Sequence, residues 1–65
     1  MSVLFTVDVW VNRDGDHTRF AHLENVISFT LQGNSISFAQ DQSGFVLHDT
    51  LPIDDDILEV IARSM

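Results

Sequence analysis

The side chains able to do chemistry in this chain are mostly carboxylates. Asn12-Arg13-Asp14-Gly15-Asp16 places oxygen donors at the first, third and fifth positions, as in the opening of an EF-hand calcium loop. The pattern then breaks down. His17 stands where the sharp turn wants glycine, Leu23 takes the twelfth position in place of a bidentate glutamate, and a strand instead of a helix precedes the loop. The segment therefore reads as a hairpin loop whose Asp and Asn side chains bond their own backbone. His17, His22 and His48 are the imidazoles, and with nearby carboxylates three of them could hold a divalent metal. No pair stands at the i, i+2 or i, i+4 spacing of common metal motifs, so no metal and no cofactor is expected.

Other chemistries lack their residues. The chain has no cysteine, lysine or tyrosine, which removes thiol, Schiff-base and phenol mechanisms. None of the serines lies in a nucleophile-elbow context, and no glycine-rich phosphate loop is present. Paired carboxylates exist, but Asp54-Asp55-Asp56 is explained by helix capping and dipole before an acid-base role is needed. The reading is a protein that is not an enzyme.

The elements that must position these groups are few. Sixty-five residues make one small domain, spanning 1–65, with 45% apolar and 20% charged residues, an ordinary globular balance. Val3, Phe5, Val7, Val9 and Val11 form an unbroken period-two row, the surest strand. Asp14-Gly15 supplies a hairpin turn. Thr18–Glu24 and Val26–Leu31 then alternate in different phases, and a bulge near Glu24-Asn25 reconciles them. Gly33-Asn34 marks a second hairpin into Ser35–Ala39, and Phe45–His48 is the last strand. After Pro52, Ile57, Leu58, Val60 and Ile61 recur at helical spacing, with Asp54 as N-cap and an Ile53–Leu58 staple. The expected fold is α+β: an antiparallel meander of four to five strands with one C-terminal helix packed against it.

This order of short strands, a Gly-Asn turn, a final strand and a C-terminal helix resembles the organisation of the carbon-storage-regulator family of small dimeric RNA-binding proteins. That family reads RNA with basic residues along its outer strands. Here the cations are only Arg13, Arg19 and Arg63, so the resemblance implies an arrangement and not that activity.

Charge and apolar faces carry the functional reading. Ten acidic residues against three arginines leave a formal charge of −7, which disfavours direct binding to nucleic acid or an anionic membrane. No apolar stretch reads as a signal peptide or membrane span, so the default compartment is the cytoplasm. In a simple meander Asp14, Asp16 and Asp41 gather at one end of the sheet, with Asp49 and Asp54, Asp55 and Asp56 at the other. The helix arc is wider than one sheet face needs, and Trp10 lies opposite the valine row. A homodimer closed through Trp10, Leu58, Ile61 and Met65 would cover both surfaces. The expected function is binding and inhibiting or regulating a protein with a basic groove. Mimicry of nucleic acid through Asp14, Asp16, Asp41, Asp54, Asp55 and Asp56 would be the means, as in phage or mobile-element inhibitors. The alternatives are a structural subunit acting through homo-oligomerisation and a small-ligand binder with its site between protomers.

Overall fold

The computed structural model describes residues 3–65, and they form a single antiparallel sheet of five strands. The strands are β1 (Phe5–Arg13), β2 (Asp16–Gln32), β3 (Ser35–Gln42), β4 (Phe45–Pro52) and β5 (Asp56–Ser64). Their order across the sheet is β4-β3-β2-β1-β5.

Two-residue turns join the first four strands. Asp14 and Gly15 have φ of 52° and 86°, and Ser43 and Gly44 have 51° and 100°. Positive φ at both central positions is the I′ pattern, whose twist matches that of the flanking strands. Gly33, with φ of 57°, opens the remaining turn, in which only the first central residue is left-handed.

The 17-residue β2 belongs to both halves of the molecule. Its first half pairs with β1, from Arg13↔Asp16 to Val7↔Leu23, and its second half pairs with β3, from Val26↔Gln40 to Gln32↔Ser35. The halves meet at Asn25, which is left-handed at φ 55°, where the register between Phe5 and Val7 shifts. That is the bulge expected near Glu24-Asn25, and it lets one strand serve two phases of alternation. A further shift between Val9 and Trp10 leaves Phe20 unpaired.

The short link Ile53-Asp54-Asp55 decides how the sheet closes. It joins the end of β4, paired at Ser35↔Pro52, to the start of β5, paired at Asn12↔Asp56. These are opposite edges of the sheet, yet from Pro52 to Asp56 an extended chain reaches only about 14 Å. The sheet must therefore curl until its two edges approach at that end. The core is the result: Val7, Val9 and Val11 of β1 share one buried cluster with Val26, with Ile36 and Phe38 of β3, and with Ile53. Ile53 is 2% exposed and donates its N–H to Asn34 O at 2.6 Å, which pins the link.

The C-terminal helix expected from the sequence is not formed, and the fold is all-β instead of α+β. Residues Asp56–Ser64 pair with β1 as an antiparallel strand. The helical spacing was produced by a bulge: β1 register moves from Trp10↔Glu59 to Val11↔Ile57 and skips Leu58. Ile57, Val60 and Ala62 thus meet the inward residues Val11, Val9 and Val7 at intervals of three and then two, a sequence pattern easily mistaken for a helical one. An isolated helix of about ten residues is also marginal in water, whereas Ile57, Val60 and Ile61 are β-branched and β1 offers an open edge. The likeness to the carbon-storage-regulator arrangement loses its helix as well.

Candidate functional site: an acidic end beside an ion-paired sheet face

Closure of the sheet brings the first turn and the β4–β5 link to the same end of the molecule. Asp14 lies in the turn between Arg13 and Asp16, which face each other across the hairpin. Asn12, the next residue of β1, is opposite Asp56 of β5. Arg13 reaches the link and donates from Nε and Nη2 to Asp55 Oδ2 at 3.1 and 2.9 Å. Asp14, Asp16, Asp54, Asp55 and Asp56 therefore surround one end, and all but the half-buried Asp55 are exposed. Arg13, the cation there, is engaged by Asp55.

Asp41 is not part of this group. It sits across from Val46 near the β3–β4 turn, where its Oδ1 accepts from Gly44 N–H at 3.4 Å. The sequence reading put Asp14 and Asp16 with Asp41 and set Asp54–Asp56 apart. The structure regroups them because β2 folds back at Asn25 and the three-residue link ties β4 to β5.

A second feature could be read only weakly from the sequence. On the outer face of β5-β1-β2, Asp8 is opposite His22 and Ile61, and Trp10 is opposite Arg19 and Glu59. His22 Nδ1 bonds Asp8 Oδ1 at 2.5 Å and its Nε2 bonds Glu24 Oε1 at 3.2 Å. A carboxylate on each nitrogen favours the charged form of the imidazole. The hydrogen bond to Asp8, then that to Glu24, raises the His22 pKa above its ordinary 6.5. The same bond from His22 is the main cause holding Asp8 below its ordinary 3.8, with Arg19 and Arg63 adding to it. Arg19 Nη1 lies 3.7 Å from Asp8 Oδ1, and its guanidinium carbon is 6.0 Å from the Trp10 ring centroid. The His17 ring lies tilted beside Trp10, centroids 4.8 Å apart, and its Nε2 is 3.2 Å from Glu59 Oε1. Alternation along β1 predicts that Thr6, Asp8 and Trp10 share a face. Knowing that His17, Arg19 and His22 join them requires the β1–β2 register.

The apolar contact expected on a helix is rearranged accordingly. Trp10 and Ile61 are half-buried within this charged face, while Leu58 and Met65, 52% and 63% exposed, flank it on β5 and beyond. Asn25 N–H is directed at Met65 Sδ, 3.4 Å away. These four residues do not form one helical stripe, because Asp56–Ser64 is a strand. The largest run of exposed apolar side chains is instead Phe45-Val46-Leu47 on β4.

Among the described residues no group of three or more His, Asp or Glu is arranged to hold a metal. Asn12, Asp14 and Asp16 are spread along an ordinary hairpin. An open depression of about 290 Å³ crosses β2-β3-β4, where Ser28, Ser37 and Thr50 lie near His48. Ser37 Oγ is bonded to Thr50 Oγ1 at 3.1 Å, which leaves it oriented toward a hydroxyl and not toward the imidazole. No protein-family model, curated protein or solved structure matches the chain.

Proposed function

We propose that this protein binds a protein with a basic groove through its acidic end, and that it blocks or regulates that partner without chemistry of its own. The observation that supports this is the gathering of Asp14, Asp16, Asp54, Asp55 and Asp56 around one turn and one link, with Arg13 already paired. Solubility alone is served as well by dispersed charge. Clustering is unfavourable to the fold, since two unit charges 7 Å apart repel by roughly 0.6 kcal/mol even at the dielectric constant of water. A group of like charges kept together against that repulsion suits a cationic counterpart. Asp14 and Asp16, and likewise Asp54 and Asp56, stand two residues apart, within about 7 Å of chain, a density suited to grooves shaped for a polyanion. The acidic end then occupies such a groove in place of phosphates.

The test is capture from lysate on immobilised protein at 50 and 500 mM salt, compared with a variant carrying Asp14→Asn, Asp16→Asn, Asp54→Asn and Asp56→Asn. Asp55 is kept so that Arg13 retains its partner. The reading requires a captured basic protein that is released by salt, lost with the variant and displaced by duplex DNA. Capture that persists in the variant at high salt would remove charge complementarity as the cause.

A further inference from the structure

The β4 edge is open over one short stretch, and its geometry singles out a partner. Gln42 and Phe45 flank the two-residue Ser43-Gly44 turn, so they are the hydrogen-bonded pair that closes this hairpin. The register of β3 with β4 has no irregularity, so Phe45, Leu47, Asp49 and Leu51 bond β3 in turn. The Ile53 N–H bond to Asn34 O continues the series. Val46, His48, Thr50 and Pro52 therefore direct their backbone groups away from the sheet. At the far end this edge is blocked: Thr50 N–H is taken by Asp49 Oδ1 at 2.8 Å, and Pro52 has no N–H. Only Val46 and His48 keep free donors. Around them Phe45, Val46 and Leu47 are 72%, 52% and 46% exposed, an apolar edge of the kind folded proteins normally guard. The opposite edge, β5, is interrupted by the Leu58 bulge, which makes it a poorer template.

We propose that a second copy of this chain pairs antiparallel with β4, centred on Leu47. Two identical strands related by a two-fold axis perpendicular to their sheet keep the same faces, so each residue must oppose one of equal parity. Three centres use the free donors, at Val46, Leu47 and His48. A His48 centre would set Leu47 against Asp49 and require the Thr50 N–H that Asp49 already holds. A Val46 centre would set His48 against Gly44, whose N–H Asp41 Oδ1 accepts at 3.4 Å. A Leu47 centre pairs Val46 of each copy with His48 of the other, so that each free donor meets a free carbonyl, and sets the two Leu47 side chains together on the face that carries Ile36, Phe38 and Leu51. Charge opposes this junction little. Asp41, across from Val46, would lie at least three strand spacings, roughly 14 Å, from its symmetry mate, beyond the Debye length of about 8 Å at physiological ionic strength. The contact is small, below the roughly 1,000 Å² of a stable interface, so association is weak. It does not depend on the acidic end, and its salt response is opposite in sign: screening the −7 charge favours self-pairing and disfavours a basic partner.

Sedimentation equilibrium from 20 µM to 1 mM, at 50 and 500 mM salt, tests this. The wild-type mass should rise toward twice the monomer and rise further at high salt. Val46→Pro removes a donor that β3 does not use and should weaken association at least tenfold, as should Leu47→Thr. Val46 and His48 amide exchange in the wild type should slow as concentration rises, a readout that needs no variant to fold. A monomer at 1 mM would overturn the proposal, as would self-association unchanged in both variants or amides at Val46 and His48 that stay unprotected.

Discussion

Replacing Ile53 by alanine tests the closure of the sheet more sharply than any other core change. Ile53 lies in a three-residue link that a flat, open sheet would leave in solvent, yet it is 2% exposed and packs into the cluster of Val7, Val9, Val11, Val26, Ile36 and Phe38. The substitution removes three carbons, worth about 0.8 kcal/mol each on transfer, and leaves a cavity, so the loss should fall in the range of about 2–5 kcal/mol. A core of this size supplies only about 3–5 kcal/mol in all, so the variant should be close to unfolded at room temperature. Ile53→Val should cost about 0.5–1.5 kcal/mol and lower the melting temperature by roughly 2–12 °C. Leu58→Ala on the exposed bulge is the control, expected within about 0.5 kcal/mol of wild type. Thermal and urea melts followed by circular dichroism, at fixed pH and protein concentration, give the comparison. An Ile53→Ala variant as stable as Leu58→Ala would refute the closure, and with it the approach of the link to the first turn.

Three further outcomes follow from the same geometry. Asn25 is left-handed, so Asn25→Gly should be tolerated while Asn25→Val loses about 1–2 kcal/mol, read from urea midpoints. The four-fold aspartate-to-asparagine variant should melt at or above the wild-type temperature at low salt, with the difference shrinking as salt is added; a lower melting temperature would mean that those carboxylates support the fold. The third concerns pH. His22 is raised above 6.5, so its stabilisation is complete below the unfolded value and lost as pH climbs through the folded one; Asp8 is lowered below 3.8, so its share is present above that value and lost as pH falls through the depressed one. Stability should therefore be greatest between these windows. A proton NMR titration should place the His22 midpoint above 6.5 in the wild type and lower in Asp8→Asn.

Much of the strand layout was legible because local rules and tertiary packing agree there. The odd-numbered valines of β1 are the buried row, and the Asp14-Gly15 and Gly33-Asn34 turns fall between strands as read. The bulge at Asn25 was visible because Phe20 and Leu23 are out of phase with each other ahead of the alternating Ile27, Phe29 and Leu31. The same kind of conflict at Leu58 misled, because a bulge followed by β-branched residues spaces apolar side chains much as a helix does, and three aspartates before it imitate a cap and first turn. Only pairing with β1 distinguishes the two. The site was legible residue by residue but not as a surface. The aspartates were apparent; their grouping depends on how far a 17-residue strand bends and on a link too short to let the edges separate. Phe45–Leu47 read as an ordinary strand because nothing local tells an edge from a centre.

The most direct check is the backbone NMR contact pattern of residues 56–64. Cross-strand contacts at Val9–Val60 and Asn12–Asp56 are expected, with Arg13 close to Asp55, so that the acidic groups share one end. Successive amide-to-amide contacts through Ile57–Arg63, without any to β1, would mean a helix there and would dissolve the surface on which the proposed binding rests.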